Sequence, residues 1–257
     1  SLSFENPRVF QGKGVTTWEG LIKSVRAKVK GTKVKIRLGA SSGEWKAMVA
    51  DEAARTTFAK NIKTVLEKNK LDGIDLDFEW AENEKEYKDY SLAILKMREV
   101  LGDKYLFSVS LHPVCYKISK EAIEAVDFIS LQCYGPSPVR FPIEKYCSDI
   151  QMVLEYGIPK EKLVAGVPFY GVTKDNSKKT EAYFNFVQNG LVTSPAQNEV
   201  IYQGDTYVFD GQDNIRIKTR YAKEQKLKGM MSWDLATDLP LSDSRSLLKT
   251  MTEELRE

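Results

Sequence analysis

Histidine is nearly missing from this chain: among 257 residues there is one, His112. A single imidazole excludes a two-histidine metal site, and any Ser–His nucleophilic pair would have to be built on that one residue. Cysteine is almost as scarce. Cys115, Cys133 and Cys147 are odd in number and match no metal-ligand spacing, so neither a disulfide framework nor a cysteine metal centre is expected. No apolar run approaches the roughly 20 residues of a membrane-spanning helix. The first residues also lack the charged-then-apolar layout of a signal peptide. Charge of one sign is missing too, because 38 Lys and Arg against 36 Asp and Glu leave only +2. That balance supplies no long-range field for nucleic acid or an anionic membrane, so an uncharged substrate is expected. With these chemistries set aside and no cofactor implied, catalysis has to lean on carboxylates.

What is present is ordinary in bulk and unusual in one place. Hydrophobic residues at 42% and charged residues at 29% are globular values. The length suits one α/β barrel, so residues 1–257 read as a single domain. The unusual place is Leu71-Asp-Gly-Ile-Asp-Leu-Asp-Phe-Glu-Trp80. With a strand period of two, Asp75, Asp77 and Glu79 share one face while Ile74, Leu76 and Phe78 share the other. Three like charges in a row repel, which makes this an expensive way to face water. A solvated edge strand and a calcium site are the bland readings; a proton-handling site is the sharp one. Crowding of the carboxyls disfavours simultaneous ionisation, so a proton is retained among them, available to an acid.

Around that stretch, strand-like apolar runs alternate with helical ones, the pattern of parallel βα units. The strands read Leu2 to Phe4, Val34 to Leu38, Gly73 to Phe78, Tyr105 to Leu111, Phe128 to Cys133, Leu163 to Val167 and Gly229 to Trp233. Helical spacing links Phe58, Ile62, Val65 and Leu66, then Tyr90, Ile94, Met97 and Val100. A hairpin is expected from Val200 to Tyr202 and Thr206 to Phe209 around Gly204-Asp205.

The stretch Asp72-Gly-Ile-Asp-Leu-Asp-Phe-Glu79 resembles the signature of glycoside hydrolase family 18, the chitinases and endo-β-N-acetylglucosaminidases. Lys33-Val-Lys-Ile-Arg-Leu-Gly-Ala-Ser-Ser-Gly43 resembles the family's third strand and glycine-rich turn. Leu163-Val-Ala-Gly-Val-Pro-Phe-Tyr-Gly171 and Gly229-Met-Met-Ser-Trp-Asp234 resemble the seventh and eighth. The resemblance implies a (β/α)8 barrel. It departs from the family pattern in three places. Ser1-Leu-Ser-Phe4 looks like the end of the second strand, so the first has no counterpart and is expected to be lacking. The sixth strand reads Gln132-Cys-Tyr134-Gly instead of Met-x-Tyr-Asp, a form found in plant-type chitinases and the endo-β-N-acetylglucosaminidases. The stretch from Val172 to Lys228 is short for a connection carrying a full α+β insertion, which predicts a shallow cleft.

By the same resemblance Glu79 is the general acid, Asp77 orients the substrate's N-acetyl group, Asp75 supports Asp77, and Gln132 and Tyr134 hold the acetamido group, Tyr134 donating to its oxygen and Gln132 helping to orient it. Asp77 and Glu79 lie about 6.6 Å apart along one strand and point the same way, so Asp77 cannot attack the sugar face opposite Glu79. In this family the nucleophile is the substrate's own 2-acetamido oxygen. Trp233, Tyr170 and Trp45 are candidate sugar-binding aromatics, with Asp234 beside them at the end of the last strand. His112 lies near the same rim, where a structural hydrogen bond serves it equally well. The expected partner is an N-acetylglucosamine oligosaccharide or polysaccharide, met by a secreted, periplasmic or cell-surface monomer. A lectin-like barrel without turnover and an enzyme acting on the chitobiose core of N-glycans are the competing readings.

Overall fold

The computed structural model describes residues 18–41, 44–134, 141–175 and 179–256. The expected strand from Leu2 to Phe4, and its pairing with the next one, lie outside these residues. Chain contacts divide the protein into two compact units, one running to Ser110 and taking in Lys117–Asp127, the other formed by Leu111–Tyr116 and everything from Phe128 onward.

The first unit contains α1 (Trp18–Lys28), β1 (Arg37–Ser41), α2 (Trp45–Ala50), α3 (Glu52–Asn69), β2 (Gly73–Asp77), α4 (Glu84–Leu101), β3 (Leu106–Leu111) and α5 (Lys120–Ala125). Strand β2 pairs in parallel with β1 on one side and β3 on the other, with Asp75 opposite Gly39 and Ser108. The alternation of the motif is realised side chain by side chain. Ile74, Leu76 and Phe78 are buried, Asp75 and Asp77 are half-buried, and Glu79 is exposed. Each of the three apolar residues gains about 1.5–3 kcal/mol from burial, before the entropy of ordering it. Their partners are helical: Phe78 stacks on Trp45 at 5.4 Å between ring centres and tilts against Phe58 of α3 and Tyr90 of α4. Gly73 is dictated by the neighbouring strand, because a Cβ there would lie 1.9 Å from the Leu106 carbonyl oxygen. The motif's first acid, Asp72, ties β1 to β2 by accepting from the Ile36 N–H at 2.8 Å. Helices α3 and α4 start on side-chain caps, Asp51 to the Ala54 N–H and Asn83 to the Glu86 N–H.

Strand β1 begins at Arg37, three residues later than the expected Val34. Val34 is exposed, and its N–H bonds the Thr32 hydroxyl, so the turn after α1 consumes residues that read as strand.

The second unit contains β4 (Phe128–Leu131), α6 (Ile143–Tyr156), β5 (Leu163–Pro168), β6 (Tyr170–Thr173), β7 (Thr180–Ala182), α7 (Tyr183–Gln188), β8 (Glu199–Tyr202), β9 (Asp205–Val208), α8 (Gln212–Glu224), β10 (Gly229–Trp233) and α9 (Leu247–Arg256). Strand β5 is buried along its whole length and runs parallel to β4 and β10, as a continuous apolar run requires. The hairpin forms as β8 and β9, turning through Gln203 and Gly204, both at positive φ. It is not alone. β6 and β7 extend it into a four-stranded antiparallel sheet in the order β7-β6-β9-β8, with Phe186 of α7 packed against Tyr202, Tyr207 and Phe209. β7 is only three residues long and carries no apolar alternation, which is why the sequence pattern shows one hairpin where the fold has two more strands.

Lys218 of α8 is wholly buried. Its ammonium donates to Asp210 at 2.6 Å and to the Phe141 carbonyl at 2.8 Å, and lies 5.5 Å from the Tyr146 ring centre. Among the described residues no helix is long and apolar enough to cross a membrane. The cysteines are free thiols, and burial beside Asp149 pushes Cys133 up to about 12.

Candidate active site

In the first unit the carboxylate row is held from both neighbouring strands. Asp75 accepts from the Ser110 hydroxyl at 2.7 Å and from the Ser108 hydroxyl on its other oxygen. Ser108 in turn accepts from Nη1 of Arg37, whose guanidinium lies 3.9 Å from the Asp75 carboxylate. Burial pushes the Asp75 carboxyl above the usual range, while the two serine hydroxyls and the Arg37 charge pull it back down. Burial lowers Arg37, opposed by the charges of Asp75 and Asp127.

Glu79 stands two residues beyond the end of β2, with its side chain exposed and its main chain anchored. The indole N–H of Trp45 donates to the Glu79 carbonyl at 3.1 Å. Trp45 was expected to touch sugar and is placed otherwise: it is 1% exposed and clasped by Phe78 and Tyr90. Position after a glycine-rich turn suggested a rim, but the apolar face of β2 needed a large planar partner and α2 supplies it. The Glu79–Trp80 peptide bond is cis. Among the described residues no three His, Cys, Asp or Glu side chains are grouped as a metal cage would need.

In the second unit Tyr134 and Tyr170 meet edge to face at 6.4 Å, over a small apolar cluster that includes Phe141, Val172 and Met231. The Tyr134 hydroxyl lies 3.7 Å from the Met231 sulfur. Gly166 makes this convergence possible, since a Cβ there would come within 2.6 Å of the Leu131 carbonyl and 3.0 Å of the Tyr134 ring. Gln132 follows β4, half-buried, its N–H bonded to the Leu111 carbonyl at 2.8 Å. Trp233 ends β10 with 50% of its surface exposed, and its carbonyl accepts from the Phe169 N–H at 2.7 Å. A half-exposed indole on a fixed strand end can stack on the apolar face of a sugar ring. The Trp233–Asp234 bond is cis as well. Asp234 caps the 3-10 turn Leu235–Thr237, accepting from the Ala236 N–H at 2.8 Å. His112 is buried, with Nδ1 accepting from the Val114 N–H.

Sequence reasoning passed over Arg37, Ser108 and Ser110. The signal was there: β3 reads Phe107-Ser-Val-Ser-Leu111, with hydroxyls at alternate positions, and the expected strand Val34 to Leu38 carries Arg37.

A family model described as "Glycosyl hydrolases family 18" matches residues 6–238. A Drosophila melanogaster protein described as "Probable chitinase 2" is 23% identical over 273 aligned residues, covering 80% of this chain but 56% of its own length. The chain thus spans little more than half of that relative. The crystal structure of a chitinase from Bacteroides thetaiotaomicron aligns with a TM-score of 0.82 at 21% identity, covering 94% of this chain and 82% of that one. A chitinase-like agglutinin from Robinia pseudoacacia aligns with a TM-score of 0.77 at 18% identity, over 92% and 85% of the two chains. These likenesses show the fold class, the α/β barrel expected from the motif.

Proposed function

The chain belongs to glycosyl hydrolases family 18, and from that premise we propose that it hydrolyses β-1,4 bonds between N-acetylglucosamine units of chitin or chitooligosaccharides. One observation carries the reading: the acid row is complete, with Asp75 gripped by Ser108 and Ser110, Asp77 next along the same face, and Glu79 exposed beyond the strand end. Glu79 is the proposed acid, giving its proton to the leaving glycosidic oxygen. Asp77 accepts from the acetamido N–H and offsets the positive charge that develops as the acetamido oxygen closes on the anomeric carbon. Tyr134 and Gln132 hold that oxygen, and Trp233 and Tyr170 lie under the sugars. Water then opens the cyclic intermediate with Glu79 as base, so the β configuration is retained. Asp234, tied to its cap, is assigned a supporting part at the end of β10.

The likeness to an agglutinin favours a second reading, sugar binding without turnover. Product analysis separates the two, and also tests substrate class. The purified protein is incubated with chitotetraose and, separately, with a high-mannose glycoprotein. Release of chitobiose with the β anomer first supports the proposal. Binding with no product supports the lectin reading, and release of the N-glycan alone transfers the activity to the chitobiose core.

A further inference from the structure

The first acid of the row, Asp75, is itself supported, and by a residue outside the motif. β1 lies in register with β2, so Arg37, Gly39 and Ser41 line the same face as Asp75 and Asp77, and Leu38 points the other way into the core. Gly39, directly opposite Asp75, presents no side chain, and Arg37 reaches along the open face instead. The groups facing Asp75 are Arg37 from β1, Ser108 and Ser110 from β3, and Asp77 on its own strand. Asp127 also acts on Arg37 by its charge and is itself spent on the Phe107 N–H and on Arg98.

Resting on the hydrolase reading, we infer that Arg37 is a positioning residue which, through Ser108, keeps Asp75 in its charged form during turnover. The physical need is plain. A carboxylate this enclosed is driven by burial toward its neutral form, and a neutral Asp75 would compete with Asp77 and Glu79 for the row's proton. A cation about 4 Å away, relayed by one hydroxyl, favours the anion and leaves that proton with the two outer acids. Arg suits the place because it stays charged when half-buried and its flat fork can serve Ser108 and Asp75 together.

The test compares Arg37→Gln, Arg37→Lys and Ser108→Ala with the parent chain, following kcat/KM on 4-nitrophenyl chitobioside against pH. Removal of the cation raises the pH at which Asp75 becomes ionised, so the acid limb of Arg37→Gln is expected to move up by about one pH unit. Ser108→Ala should move it the same way, and Arg37→Lys, which keeps the charge, should leave it close to the parent position. A carbon-13 NMR titration of the Asp75 carboxyl in the same proteins reads the same event without turnover. If the acid limb and the titration stay in place while Tm falls, Arg37 only braces the strands and the inference is overturned. If the parent turns over no sugar yet the Asp75 titration moves in Arg37→Gln, the hydrolase reading fails and the control of Asp75 by Arg37 stands. Should Arg37→Gln not fold, the Arg37→Lys and Ser108→Ala titrations decide the matter alone.

Discussion

Two ion pairs, one in each unit, show how differently the same chemistry can be set. In the second unit Lys218 and Asp210 meet at 2.6 Å with both side chains fully enclosed, and Asn214 and the Phe141 carbonyl take up further bonds. In the first unit Arg37 stands 3.9 Å from Asp75, with a serine hydroxyl between them and both side chains still partly exposed. Burial pushes both aspartates upward, and in both a cation opposes it. The buried pair has nowhere to go: each charge is answered by fixed partners, and neither side chain is open to a ligand. The looser pair keeps an open side along the row toward Asp77 and Glu79, where a change of charge can be felt by a ligand. The lesson is that a tight, closed pair braces a fold and a slack, open one can tune a reaction.

The largest effect expected is on rate. Glu79→Gln should lower kcat by about 10²–10⁴ while leaving Tm and chitooligosaccharide binding close to the parent values, because only the transferable proton is lost. Near-parental turnover in this variant would remove Glu79 from the acid's role. On stability the order of the two units reverses. Lys218→Met should cost about 3–5 kcal/mol in urea unfolding, because it strands the buried Asp210 charge. Adding Asp210→Leu should recover most of that loss, and a double variant no more stable than the single would break the comparison.

A smaller effect is the slope of stability with pH. Asp75 and Asp210 have carboxyls raised by burial, so the folded chain holds their protons more tightly than the unfolded chain does. Their contribution is therefore fully present below the unfolded carboxylate value near 3.8 and is lost as pH rises through the folded values. Urea midpoints should fall from this source as pH rises above about 3.8, and Asp75→Asn should flatten that fall. Smallest is the exposed pair of Lys174 and Glu199, 2.7 Å apart with both side chains about half or more in water. Lys174→Ala should change stability by about 0–1 kcal/mol, and less in high salt.

Much of this protein was determined by local pattern. The period-two alternation from Ile74 to Glu79 settled which side chains enter the core and which form the row, since adjacent strand residues must face opposite ways. Apolarity marked Leu163 to Val167 as a strand, and the hairpin turn expected around Gly204-Asp205 forms one residue earlier, at Gln203-Gly204. Tertiary structure decided what pattern could not encode. Trp45 left the sugar-facing rim because Phe78 needed a stacking partner, and Asp234 became a cap because the chain turns directly after β10. Arg37, Ser108 and Ser110 became partners of Asp75 through strand register, which brings together residues 33 to 71 positions apart. Alternation is a property of one strand and is written along it. The grip on Asp75 is a property of three strands side by side, and it exists only once they are paired.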